Sequence, residues 1–222
     1  MAAFRPAPFF RLLDDLLLPI AASDSIGLRQ MRAGAADADI VICTDMGTEA
    51  ADFIICSRRK LIYVHAKCGT SERPRSSAGA LAEVGSQAVK NIEHLISKNT
   101  GLKFGNASML DSVWPTPGAD GGLDRLRVFR DELGRDRPRV ARNGDSPLKQ
   151  ALGIVTSRRL SDACEKEIWV VVGRGFSLRN FSQQLANGAD ANSNTLQAFQ
   201  LVSAWDAAAR EGDIALRFFV SP

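Results

Sequence analysis

An acidic, an imidazole and an amine side chain occur close together within residues 52–67 of this chain, and such a set is typical of binding or catalytic sites. Two apolar runs, 50–56 and 61–64, flank the polar segment 57–60, and this pattern predicts a β-hairpin. Alternation along the second strand places His65 and Lys67 on one face. The hairpin would therefore carry an imidazole and an amine side by side.

A turn centred between Arg58 and Arg59 would place Asp52 directly opposite His65. A carboxylate, an imidazole and an amine would then meet at one end of an apolar ribbon. Burying such groups costs several kcal/mol unless they pair or bind something. The pattern favours a ligand-binding or catalytic cluster; the alternative is a surface ion pair beside a packed core histidine.

Three short motifs resemble the PD-(D/E)XK nuclease superfamily. They are Asp45-Met-Gly-Thr-Glu49-Ala-Ala-Asp52, Tyr63-Val-His65-Ala-Lys67 and Gly85-Ser-Gln87-Ala-Val-Lys90-Asn91. The resemblance is to the branch that carries His-x-Lys in place of Glu-x-Lys, found beside bacterial helicase-like and defence proteins. It covers residues 45–91 by motif and the rest by element order. It implies an α/β fold with a restriction-endonuclease-like mixed sheet of αβββαβ type.

The resemblance also implies roles for individual residues. Asp52 is the expected principal ligand of Mg²⁺ or Mn²⁺, with the backbone carbonyl of Ala66 as a further ligand. Lys67 would orient or deprotonate the attacking water. The helix stripe around Gln87 predicts that its side chain points at or near the buried side, where it would bind water or substrate. Additional expected residues are the carboxylates of Glu49 and Asp45 for the metal, and Arg73, Arg75 and Lys90 for nucleic acid.

His65 departs from the usual pattern, because most members of the superfamily have a metal-binding acid there. An imidazole suits Mn²⁺ or later metals better than Mg²⁺. Three alternatives follow: a metal held by fewer anionic ligands, a role for His65 in proton transfer, or a degenerate site.

The order of predicted elements agrees with an α/β fold. Helical spacing is predicted over 9–18, 77–97, 124–133, 178–186 and 195–210, strands over 39–44, 167–173 and 214–220, and a loop over 187–193. Residues 100–166 are rich in proline, glycine and arginine and are expected to form a surface insertion within a single domain of residues 1–222. The two-domain alternative leaves the C-terminal part too few faces to close a core.

Composition sets outer limits on function. The chain has 222 residues, 45% hydrophobic and 24% charged, with a formal net charge of +3. That charge permits a nucleic-acid partner without requiring one. No apolar run approaches the length of about 20 residues that a membrane span needs, and residues 9–20 contain two aspartates, so they are not expected to be a signal peptide. The four cysteines have no paired spacing, which favours a reduced, cytoplasmic location without a zinc site.

The expected function is metal-dependent hydrolysis of DNA, with RNA as the alternative substrate, in bacterial defence or DNA processing and with a helicase or other defence-complex subunit as partner. A second hypothesis is a catalytically degenerate nuclease-fold module that binds nucleic acid or a protein. A distant third is a hydrolase using Cys68 as nucleophile, which lacks a second histidine placed to activate the thiol.

Overall fold

The computed structural model describes residues 16, 26–45, 50–69, 71–102, 112–113, 124–138 and 144–221. The helices of this part are α1 (Ile26–Ala35), α2 (Ala78–Lys90), α3 (Ile92–Ile96), α4 (Pro147–Arg159), α5 (Leu178–Ala186) and α6 (Ser193–Glu211). The strands are β1 (Ile40–Cys43), β2 (Phe53–Cys56), β3 (Lys60–Gly69), β4 (Leu126–Phe129), β5 (Glu165–Ser177) and β6 (Ile214–Ser221). A short 3₁₀ helix, Gly188–Asp190, lies in the predicted loop.

The described strands form one mixed sheet in the order β4-β1-β2-β3-β5-β6. The first four strands in this order pair antiparallel with one another, whereas β5 is parallel to β3 and β6 is parallel to β5. Parallel neighbours need a crossover connection, and α2 and α6 lie within the two crossovers. An α/β fold with a mixed sheet flanked by helices is therefore confirmed.

The register of the β2–β3 hairpin is the one that the sequence predicts. Phe53 lies opposite Val64, and Cys56 lies opposite Leu61. The Asp52 N–H donates to the carbonyl of Val64 at 3.0 Å, although Val64 already lies opposite Phe53. The ladder therefore shifts by one residue at Asp52, and the predicted position of Asp52 directly opposite His65 is not continued by this register.

Both faces of the sheet are covered, which explains why the central strands are apolar throughout. One face packs against α2, α4 and α6 through residues such as Ile54, Tyr63 and Ile168. The other packs against α1 through residues such as Phe53 and Trp169. Continuous apolar runs are typical of strands buried on two sides.

One predicted helix is wrong. Residues 124–133 contain strand β4, which pairs with β1 at the edge of the sheet. Leu126, Val128 and Phe129 are buried in this arrangement, and their packing overrides the local helical spacing. The helix predicted over 77–97 is interrupted at Asn91, which separates α2 from α3. The helix predicted over 9–18 lies outside the described residues, except for buried Leu16.

The described part of residues 100–166 is not confined to the surface, in contrast to the expected insertion. It supplies β4 to the sheet and α4 to the core, where Leu148, Ala151 and Val155 are buried. The remaining helices and strands predicted for the C-terminal half are confirmed as α5, α6, β5 and β6. The single domain of residues 1–222 stays a prediction.

Two glycines, one in α1 and one in α2, allow their helices to pack closely against buried tryptophan rings. A Cβ on Gly34 of α1 would lie 2.7 Å from the Trp169 ring, and a Cβ on Gly85 of α2 would overlap the Trp205 ring of α6. Trp205 in turn stacks on Phe218, with ring centroids 6.4 Å apart. The contact between α2 and α6 therefore depends on the missing side chain at position 85.

We expect Gly85→Ala to lower the free energy of unfolding by about 1–3 kcal/mol, because the added methyl group must displace the buried Trp205 ring. Urea denaturation followed by far-UV circular dichroism measures the change. Gly153→Ala is the matched control: nothing lies within 4 Å of a Cβ built there. In helix α4 that alanine should stabilise the protein by about 1 kcal/mol. Equal effects of the two substitutions would contradict the packing described for Gly85.

Candidate functional site

The backbone of Asp52 is held between two strands. Its N–H donates to the Val64 carbonyl of β3 at 3.0 Å, and its carbonyl accepts from the Thr44 N–H at 2.8 Å. The Thr44 hydroxyl also donates to the Ala51 carbonyl at 2.6 Å. These bonds place Asp52 at the beginning of β2 with little freedom to move.

The carboxylate of Asp52 extends the hydrogen-bond ladder beyond the end of β2. Strand β3 continues past Val64, where β2 has no further residue to pair with it. Asp52 Oδ2 accepts from the Ala66 N–H at 2.7 Å. Because the N–H and C=O of one residue in an extended strand point to the same side, the Ala66 carbonyl also faces the side of Asp52. This is the carbonyl predicted to be a metal ligand.

His65 is buried on the face of the sheet that packs against α2, α4 and α6, with 2% of its surface exposed. Among the described residues its Nε2 atom has no hydrogen-bond partner. Burial lowers the pKa of His65 to about 4, so the imidazole is neutral near pH 7. A neutral imidazole nitrogen can bind a metal ion or accept a proton.

Lys67 lies two residues further along β3, and its ammonium pairs with the carboxylate of Glu83 on α2. Both side chains are about half exposed. The pair with Glu83 directs the Lys67 side chain to the side of the sheet that α2 covers. Glu83 is not among the residues that the sequence motifs indicate; the available signal is an acid in the helix that follows the strand carrying Lys67.

Gln87 does not point toward the buried side as predicted. The side chain is exposed, whereas the buried positions of α2 include Leu81, Val84 and Ala88. Helical geometry sets Gln87 one turn after Glu83 on the exposed side of α2. The buried stripe of α2 runs through Val84 and Ala88 and leaves Gln87 beside it on the exposed surface. The expected contact of Gln87 with water or substrate stays a prediction.

Of the two other residues expected to bind the metal, Asp45 lies at the same end of the sheet as Asp52. Asp45 follows Thr44, whose N–H is bonded to Asp52, and the Asp45 carbonyl accepts from Arg125 Nη1 at 3.1 Å. Glu49 lies outside the described residues. In the part of the chain that the structure describes, no three His, Cys, Asp or Glu side chains are grouped as a metal site.

The expected nucleic-acid residues separate into two places. Arg73 and Arg75 are exposed on the segment that follows β3 and precedes α2. Lys90 lies in the last turn of α2, about 18 Å along the helix axis from its first residue. Only the two arginines lie next to the end of the sheet that carries Lys67.

Comparison with known proteins gave no match. No family model, no curated protein and no solved structure matches the chain. Within the ranges that the structure describes, the helices are all too short or too polar to cross a membrane. The arrangement of Asp52, His65 and Lys67 therefore has to be interpreted from its own geometry.

Two substitutions of Asp52 separate its structural contact from its charge. We expect Asp52→Asn to leave the free energy of unfolding nearly unchanged, because the amide oxygen can still accept from Ala66. Asp52→Ala should lower it by about 1–3 kcal/mol, because it leaves a backbone N–H without that partner. Urea denaturation of both variants measures the difference. Equal stability of the two variants would show that the ladder contact contributes nothing.

The burial of His65 predicts a stability that depends on pH. Its pKa is about 4 in the folded protein and 6.5 unperturbed, so the unfolded state binds the proton first as pH falls. Stability is fully present above about pH 6.5 and declines toward about pH 4. Between about pH 7.5 and pH 5, protonation of this histidine in the unfolded state should lower the free energy of unfolding by about 2 kcal/mol. Urea denaturation at both pH values should show a smaller loss for His65→Leu than for the wild type; parallel losses would contradict a buried neutral imidazole.

Proposed function

We propose that the protein is a metal-dependent nuclease that hydrolyses phosphodiester bonds in DNA, with RNA as the alternative substrate. The observation that carries this proposal is the arrangement of Asp52, His65 and Lys67 at one end of two paired strands. The Asp52 carboxylate contacts the backbone of the His65-Ala66-Lys67 segment directly. Such a cluster provides a carboxylate, a neutral imidazole and an ammonium for phosphate chemistry.

The topology supports a restriction-endonuclease-like version of this fold. Helix α1 precedes the antiparallel strands β1, β2 and β3, then α2 crosses to β5, which is parallel to β3. This is the αβββαβ order that the sequence resemblance implies. The strands β4 and β6 lie at the two edges of that core in the sheet, and in the chain α3, β4 and α4 come between α2 and β5.

The residues at this end of the sheet fit a divalent metal ion. Asp52 provides a carboxylate and Ala66 a carbonyl, and Mg²⁺ is commonly held by one or two carboxylates with water completing its shell. The neutral imidazole of His65 suits Mn²⁺ better than Mg²⁺. When bound, such an ion lowers the pKa of a water molecule and stabilises negative charge on phosphate oxygens.

The side chains have separable tasks in this proposal. Asp52 holds the metal, and its hydrogen bond to Ala66 fixes the orientation of the carboxylate. Lys67 presents a compact positive charge that orients the attacking water and offsets charge on the phosphate. Glu83 holds the Lys67 ammonium at the opening of the site.

Plasmid nicking with Mg²⁺ and with Mn²⁺ tests the proposal. We expect the wild-type protein to nick DNA, and Lys67→Ala to lower kcat by about 100-fold or more, which is the size of a general acid–base contribution. Asp52→Asn should remove metal binding as well as activity. Lys98→Ala, an exposed lysine after α3, is the matched control and should cleave at the wild-type rate.

Two outcomes would refute the proposal. One is inactivity of the wild-type protein with both metals on single-stranded and double-stranded DNA and on RNA. The other is cleavage by Lys67→Ala at the wild-type rate, which would show that the activity comes from elsewhere in the protein.

One observation favours the second candidate, a nuclease-fold module without catalysis that binds nucleic acid or a partner such as a helicase. His65 is a buried neutral imidazole at the position where the resemblance leads one to expect an acid. Isothermal titration with Mn²⁺ discriminates between the candidates. Metal binding that disappears in Asp52→Asn supports the nuclease, whereas no metal binding by the wild-type protein supports the binding module.

A further inference from the structure

Four exposed arginines lie where the parallel strands β3 and β5 end. Arg73 and Arg75 follow β3, Arg174 lies near the end of β5, and Arg179 lies in the first turn of α5. The first pair is about a hundred residues away from the second in the chain. We name this group the arginine edge: Arg73, Arg75, Arg174 and Arg179.

Backbone contacts bring the two halves of the arginine edge together. Gly69 of β3 lies in register with Gly173 of β5, so Arg174 follows directly beside the end of β3. The Arg174 guanidinium donates to the Glu72 carbonyl at 3.5 Å. The Ser177 N–H donates to the Arg75 carbonyl at 3.3 Å.

A network of polar side chains between the sheet end, α5 and α6 holds the two segments that carry these arginines together. Ser76 donates to Asn180 Oδ1 through its N–H and its hydroxyl, each at 2.9 Å. The Ser76 hydroxyl also lies 2.5 Å from the hydroxyl of Thr195 on α6. Ser76 and Thr195 are almost fully buried, at 2% and 0% exposed. The network joins the residue after Arg75 to the residue after Arg179, so the spacing of the arginines is set by the core.

The charge of this surface suits a polyanion. Lys67 of the candidate site precedes the arginine edge along the chain, and its ammonium is paired with the carboxylate of Glu83. Within residues 71–76 and 173–180, which carry the arginine edge, Glu72 is the one acidic residue. Guanidinium groups bind phosphate in a planar, two-pronged geometry that an ammonium cannot provide. The same fork also fits carboxylates, so the preference for phosphodiester groups over an acidic peptide follows from the neighbouring candidate site and its proposed phosphodiester substrate.

We infer that the arginine edge binds the phosphodiester backbone of a nucleic-acid strand that continues past the candidate site. This inference rests on the proposed function for its substrate class, and it adds Arg174 and Arg179 to the residues that the sequence indicated. Contacts with phosphates carry no base sequence information, so binding here is independent of sequence. Lys90, at the far end of α2, takes no part in it.

Fluorescence anisotropy with a labelled DNA duplex, and with a single DNA or RNA strand of equal length, tests the inference in EDTA, where metal-dependent cleavage does not occur. The variant is Arg174→Gln/Arg179→Gln. The slope of log affinity against log salt should fall by about one unit per lost phosphate contact, or about two units in total for duplex DNA. The matched control is Arg58→Gln/Arg59→Gln, which removes the same charge from the hairpin turn at the opposite end of β3 and should leave the slope unchanged.

Three results would overturn the inference: no binding by the wild-type protein, an equal loss in both double variants, or displacement of the labelled strand by poly-L-glutamate as efficiently as by unlabelled DNA. Circular dichroism of the variants checks that they fold. Because the assay contains no metal, it is independent of the nicking result. Inactivity with intact, arginine-dependent binding would refute the nuclease proposal alone, and cleavage that ignores Arg174 and Arg179 would refute the arginine edge alone.

Discussion

The structure depends on the pairing of β3 with two different neighbours. On one side β3 is antiparallel to β2, and on the other it is parallel to β5. Its residues from Leu61 to His65 are buried, and alternate side chains pack into two different cores on the two faces. A shift of one residue would exchange the side chains of the two cores and disrupt the packing of both. The same constraint that protects the core also determines which polar residues appear together at the end of the strand. The position of the candidate site is therefore a consequence of the register of the sheet.

Asp52 has two tasks at this point. Its backbone joins β1 to β3, and its carboxylate continues the β3 ladder where β2 has ended. A carboxylate that is oriented by a backbone N–H loses little freedom when it binds a metal ion. The structural contact therefore also preorganises the group that the proposed chemistry needs.

Buried polar side chains at the two ends of the sheet differ in whether they have hydrogen-bond partners. At the beginning of β5, Glu167 is almost fully buried, yet Lys60, Trp169 and Arg217 all bond to its carboxylate. At the other end His65 is equally buried, and its Nε2 atom has no partner among the described residues. A buried polar atom without a partner costs about 1–3 kcal/mol. Other buried nitrogens, such as His94 Nδ1, also have no partner among the described residues, so it is the position of His65 beside Ala66 and Lys67 on β3 that assigns it to the candidate site.

The hairpin and its register from residue 53 to residue 64 follow from local sequence, because a polar turn between two apolar runs is a local signal and the period of two then assigns each side chain to a face. Local sequence also determined α5, α6, β5 and β6, whose patterns are long and regular. The tertiary structure alone decided that residues 126–129 form an edge strand, since pairing with β1 outweighs their local helical spacing. It also decided the exposure of Gln87 and the pairing of Lys67 with Glu83, which depend on how α2 is rotated against the sheet. The arginine edge is decided in the same way: Ser76, Asn180 and Thr195 are far apart in the chain, and only the packing of α5 and α6 on the sheet brings them together.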